Sequence, residues 1–398
     1  MNKYDLKIYL LSFLATVLLV GALNLTVDPY ALFNSSVFNG INQRKEGLRN
    51  KVRFIKPIAV YLQKPKTLLM GSSRVWKAMN PENPLLQEYP PVYNLGVDLS
   101  RIREIRILLE HAIKNSEISR VILGVDFFMF NSLQRTNYGF DEKLVGKRMD
   151  IVDLFPTIFS VDALVDSYYV MKYSNQEPLL KTFLPNGYRP QYDSDGKVDI
   201  KSYENFHYYT NWIFLTPTPD PTLYYSKMLL DDEVFREFEK VLLLCNKNHI
   251  DLKLYISPAH ATLEGEGIKA LGKYEDLENW KRRITIIADQ YKVPLWDFGG
   301  YNSVTTETVK TPMKFYLDSS HFTELVGDMI IKRIFSTDRM PVDFGVRLTP
   351  ENIDAHLYNV RVNREKYVAD HRQEIKNLLL DFKSIINGAP MDVNRTKF

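Results

Sequence analysis

Short apolar runs alternate with amphipathic stretches from residue 67 to residue 335, and few folds accept that rhythm. The runs at 67–70, 92–96, 121–126, 252–257 and 294–297 have the length and residue types of buried strands. Between them, 101–114, 232–248 and 274–291 carry apolar residues at helical spacing, and a last such stretch covers 321–335. Strand, helix, strand in repetition demands crossovers, hence a mostly parallel sheet with helices on its faces. The expectation is therefore an α/β fold: a three-layer body with flanking helices spanning 66–336.

One interval breaks the rhythm. Residues 127–231 are far too many for a loop, so 131–230 reads as an insertion after the third strand. Its second half, 186–225, is rich in tyrosine and proline. Those aromatics either stack on sugar rings or pack a small core of their own. His207 lies among them with no partner that the sequence identifies.

The N-terminus sets a second constraint. Residues 8–27 carry no charge over 20 positions, the length of a bilayer crossing. Lys3 and Lys7 precede the run, which favours an inside N-terminus and an extracytoplasmic body. Residues 1–29 are thus a transmembrane anchor. A cleaved signal segment ending near Val20 and Ala22 and a buried core helix are the competitors. Residues 30–65 read as a turn-rich juxtamembrane connector with a basic stretch at 42–56, and 337–398 as a C-terminal extension with a charged helix over about 350–386.

Composition excludes several classes. With 51 basic and 48 acidic residues the net charge is only +3, which offers no polyanion footprint, so nucleic acid is not expected as a partner. The single cysteine, Cys245, sits in an apolar run and reads as a buried structural thiol. No metal-ligand spacing occurs among the seven histidines, and neither phosphate-binding glycine motif is present, so no metal and no cofactor are expected.

The chemistry concentrates at "LLMGSSRVW". Ligands of open parallel sheets bind beyond the carboxyl ends of the strands, where Gly71-Ser72-Ser73-Arg74 falls. A serine there needs a base and a group to orient it. "FYLDSSHFTELVGDM" supplies Asp318 and His321 ahead of the last amphipathic stretch. Their spacing suits a carboxylate that fixes an imidazole; it suits a helix cap as well. Arg74 either meets an anionic substrate group or pairs with Asp98 or Asp126. His260, after the fourth strand, either touches substrate and assists proton transfer or makes a structural hydrogen bond. Asp297, after the fifth, either orients a base or caps a helix.

These blocks resemble the SGNH, or GDSL-like, hydrolase superfamily over about residues 65–336. The resemblance implies an SGNH-like fold with Ser73 as nucleophile in a Ser73–His321–Asp318 triad, and Ser72 in place of the usual aspartate. It implies an oxyanion hole from the backbone N–H groups of Ser73 and Gly96. The third block should end in an asparagine, yet the third strand ends Gly124-Val125-Asp126. An ionised carboxylate cannot donate to an oxyanion. Asp126 is therefore protonated, or points elsewhere, or Asn131 enters the site. Such a degenerate third block, with a single N-terminal anchor, is similar to envelope proteins related to alginate O-acetyltransferases and to the teichoic-acid D-alanylation protein. The implied function is an esterase or O-acyltransferase on a cell-envelope polysaccharide, with an acyl-ester substrate and a multipass membrane partner delivering the acyl donor. The alternative is a non-catalytic envelope assembly or glycan-binding module on the same fold.

Overall fold

The computed structural model describes residues 3–43, 45, 51–134, 136–137, 139–175, 183–190, 225, 228–310, 312–336 and 341–377. Its centre is a six-stranded sheet in the order β2-β1-β3-β4-β5-β6. The strands are β1 (Thr67–Met70), β2 (Val92–Asn94), β3 (Arg120–Val125), β4 (Asp251–Ile256), β5 (Leu295–Asp297) and β6 (Val346–Leu348). The first five pair in parallel; β6 joins β5 antiparallel. All five expected strands form, with ends moved by one or two residues.

Side chains alternate across the sheet as strand geometry requires. Leu68, Met70, Val121, Leu123, Val125, Leu254 and Ile256 enter one core, together with α2 (Val52–Gln63), α4 (Ile102–Asn115), α8 (Asp232–Lys247) and α9 (Tyr274–Gln290). Leu69, Ile122 and Tyr255 enter the other, against α3 (Ser73–Ala78) and α10 (Glu324–Phe335). Three layers result, with both sheet faces covered. Cys245 lies in the first core, where burial pushes its thiol up to about 12.

Three expectations need correction. The connector at 30–65 contains α2, an amphipathic helix whose Ile55, Ile58 and Val60 are fully buried, so its second half belongs to the body. The body does not end at 336: β6 extends the sheet, and α11 (Ile353–Asp370) buries Ile353 and Leu357 against it. The last helix of the series begins at Glu324 rather than at His321, with Thr323 in the N-cap position.

The insertion opens with three helices, α5 (Glu142–Val145), α6 (Phe155–Phe159) and α7 (Val161–Tyr173). Most of its aromatic half, His207 included, lies outside the described residues. Of the aromatics that are described there, Tyr188 and Tyr225 are buried rather than presented to solvent, as is Phe183 just before it. α1 (Lys3–Val27) is a single apolar helix, long enough to cross a bilayer, that packs on α6 and α7 near its C-terminal end.

Candidate active site

The strand order reverses between β1 and β3, and the crevice beyond their carboxyl ends is where such sheets bind ligands. Gly71 ends β1 with φ +147°, and a Cβ there would meet Gly124 O at 2.8 Å and Val75 Cγ2 at 2.5 Å. Glycine is thus required for the chain to turn beside β3. Ser72 follows as the N-cap of α3, its Oγ accepting from the Arg74 N–H at 3.3 Å. Ser73 is the first residue of α3, so its backbone N–H stands outside the helical ladder.

Ser73 Oγ lies 2.8 Å from His321 Nε2. His321 Nδ1 lies 2.7 Å from Asp318 Oδ2 and 3.0 Å from Oδ1. Ionised Asp318 can only accept, so the proton sits on Nδ1 and leaves Nε2 to accept from the serine. Asp318 Oδ1 also accepts the backbone N–H groups of Ser320 and His321, each at 2.8 Å. The carboxylate therefore caps its own turn and orients the ring at once, and it caps no helix. A bridge between Tyr316 and Phe322 closes this turn at its base.

Electrostatics suit a base. Burial lowers the His321 pKa below its ordinary value; Asp318 pulls it upward, while Lys77 and Arg74 add to the lowering. Burial also works against the Asp318 carboxylate, yet the imidazole and the N–H groups it accepts hold its pKa below the usual range. Lys77 went unnoticed in the sequence because its neighbourhood is tertiary.

Asp126 is explained by its partners. Its Oδ1 receives Arg74 Nη1 at 2.7 Å and its Oδ2 receives the Ser72 hydroxyl at 2.6 Å. Both groups are at most 1% exposed. Of the open readings, Asp126 points elsewhere: it is a counter-ion, and the Arg74 partner is Asp126, not Asp98. Asp98 instead accepts from Trp76 Nε1 at 2.8 Å. Arg74 continues to the histidine turn, where its Nε and Nη2 donate to Ser320 Oγ at 3.3 Å. One guanidinium thus joins the Ser72–Ser73 turn, the end of β3 and the turn that carries His321. Ser320 was the missed member; only its contact with Arg74 marks it.

Of the expected oxyanion donors, Gly96 is otherwise engaged, and Asn131 is held through its side-chain oxygen. The Gly96 N–H donates to Asn94 Oδ1 at 3.0 Å. Asn131 commits its side-chain oxygen to the N–H groups of Leu133 and Leu229, which ties the two ends of the insertion together. Gly96 has a different necessity: a Cβ would meet Trp76 N at 2.9 Å and Ser72 O at 3.0 Å, so the loop after β2 could not lie against α3. Lys56, inside the supposed connector, holds that loop from below. It is buried and donates to Asn94 O at 2.8 Å, Gly96 O at 2.7 Å and Gly187 O at 3.0 Å, and burial pushes its pKa down to about 7.

His260 takes the structural alternative. It is fully buried, Nε2 lies 2.7 Å from Glu307 O, and burial pushes its pKa down to about 4. Its backbone N–H donates to Ser319 O at 3.1 Å, so it supports the histidine turn. Asp297 neither orients His321 nor caps a helix; it accepts from Lys281 at 2.7 Å and from His356 at 2.9 Å. Among the described residues no cluster of three metal-ligating side chains occurs.

No protein-family model matches the sequence, and a search of curated proteins found no matching relative.

Proposed function

We propose that this chain is a membrane-anchored serine acyl-ester enzyme of SGNH-like fold, an esterase or O-acyltransferase acting outside the cytoplasm on a cell-envelope polysaccharide. The observation that carries the chemistry is the hydrogen-bonded line from Ser73 Oγ through His321 to Asp318. Ser73 Oγ attacks the acyl carbonyl while His321 Nε2 takes its proton. His321 then returns that proton to the leaving alkoxide, and an acyl-serine remains. Water or a sugar hydroxyl, deprotonated by the same imidazole, releases it. The Ser73 N–H faces the developing oxyanion, and Gly96 joins it once its N–H is released by Asn94. The anchor, α1, crosses the membrane with its N-terminus inside, and a multipass partner supplies the acyl donor. The polysaccharide and the partner rest on the resemblance and on the anchor, not on the triad.

A second reading has its own support. The engaged Gly96 N–H and the counter-ion role of Asp126 leave the oxyanion site short of two of its expected donors, which suits a non-catalytic glycan-binding or assembly module. A fluorophosphonate probe on the full chain, beside Ser73→Ala, separates the two. Labelling lost with Ser73→Ala supports the enzyme. Labelling that persists, or no labelling together with no acetyl-ester turnover, overturns it. Mass spectrometry of oligosaccharide acceptors then distinguishes transfer from hydrolysis.

A further inference from the structure

The insertion helices beside α1 carry an apolar face that the body does not use. α7 buries Ala163, Ser167 and Val170 on one side. On the opposite side Val161, Val165 and Tyr168 follow at helical spacing and are exposed, Val161 by 73%. Tyr169 is exposed beside them, and Ile151, Val152 and Phe155, on and before α6, are exposed as well. Val37, Phe38 and Ile41, just beyond α1, are exposed too.

What covers this face follows from where α1 meets it. A Cβ on Gly21 would lie 2.4 Å from the Phe159 ring, so glycine admits α6 against the apolar helix. Asn24, the one amide side chain of that stretch, donates to Ile158 O at 2.8 Å and accepts from Ser167 Oγ at 2.8 Å. Gly21 precedes the end of the apolar run at Val27 by six residues, or roughly 9 Å of helix. If α1 crosses the bilayer, the α6–α7 corner is carried about that far below the level of Val27. Interfacial helices sit about 5–10 Å deep. The α7 carboxylate Asp166 is paired rather than turned to lipid: Tyr30 OH donates to it at 2.5 Å, and Lys51 Nζ meets it at 2.6 Å. Exposed tyrosines at 168 and 169 suit the headgroup layer.

We propose that α6 and α7 form a shelf seated in the lipid interface beside α1, so that the body is held against the membrane surface by a second element. This rests on the reading of α1 as a membrane span. The shelf fixes the body's orientation against the bilayer by a contact additional to α1. The occupant is lipid because the face is continuous with a lipid-length helix and lies at its depth; a protein partner is the competing occupant.

The test uses the full chain in phosphatidylethanolamine–phosphatidylglycerol nanodiscs, on a Cys245→Ala background. Nitroxides are attached singly at Leu14→Cys on α1, at Val161→Cys and Val165→Cys on the shelf, and at Lys247→Cys on α8 as a water reference. Power saturation compares collisions with oxygen, which favours lipid, and with a water-soluble nickel chelate. The shelf is supported when the labels at positions 14, 161 and 165 all favour oxygen several-fold over the reference. Labels at 161 and 165 that follow the water reference, with position 14 in lipid, overturn the shelf while the anchor stands, and assign the face to a protein partner. Water at all three positions overturns both. The shelf positions are exposed, so cysteine there leaves the core untouched.

Discussion

Asp126→Asn separates two accounts of the residue that stands where an oxyanion amide is expected. As the counter-ion of Arg74, Asp126 neutralises a guanidinium whose side chain is 1% exposed, at 2.7 Å. Losing that charge leaves a buried cation uncompensated, a change that costs about 3–5 kcal/mol. At ~2–4 °C per kcal/mol for a domain somewhat smaller than this one, Tm falls by several degrees or more. The nucleophile turn and the Ser320 contact should loosen with it, so labelling of Ser73 slows as well. Were Asp126 instead a protonated donor, asparagine would replace it almost silently and would not slow the chemistry. The assay is thermal unfolding of the detergent-solubilised chain, with the fluorophosphonate labelling rate measured on the same samples. A cycle with Arg74→Met isolates the pair, and a coupling of about 2 kcal/mol is expected. A change within about 0.5 kcal/mol for Asp126→Asn, the noise level of surface substitutions, would refute the counter-ion argument.

Because burial lowers the His321 pKa, the ring stays neutral and basic to a lower pH than an ordinary histidine. The acid limb of the Ser73 labelling rate should therefore fall below the usual histidine range. Asp318→Asn removes the upward pull, so it should move that limb lower still while cutting the rate by about 10⁴-fold. Gly96→Ala drives a Cβ into the backbone of Ser72 and Trp76. The shifted turn should cost on the order of 10²-fold in labelling rate, with Tm separating this from simple unfolding. Burial pushes the Glu264 pKa from 4.5 up to about 7, so its stabilising share is complete below 4.5 and lost as pH climbs through 7. Glu264→Gln should flatten that window by about 3 kcal/mol relative to the unsubstituted chain, measured by urea unfolding at pH 4.5 and pH 8.

Much of the site was legible because its parts are local. Gly71-Ser72-Ser73 follows a strand on contiguous residues, and Asp318 and His321 share one turn. Their meeting 248 residues apart in sequence was inferable from the rule that parallel strands gather their carboxyl ends on one edge. Ser320, Lys56 and Lys77 were not legible, since a serine beside a histidine and two ordinary lysines look the same exposed or buried. The motif marks Gly96 as an oxyanion donor, whereas in the fold Asn94 holds its N–H and close approach to α3 is what its position requires. The short edge strand Val346–Leu348 escaped because Arg347 at its centre interrupts the apolar run that marked the other strands.

Sequence by itself determined the alternation of strands and helices, the apolar N-terminal helix, the buried cysteine and the serine, histidine and aspartate that the fold brings together. Each depends on periodicity, length or a short motif, which a linear chain displays directly. Tertiary structure alone decided what each polar group faces. It turned Asp126 from an anomalous oxyanion residue into the counter-ion of Arg74, made His260 a buried support, and brought α2 and β6 into the body. A buried charge is defined by its partners, and partners from distant segments are set only when the layers close.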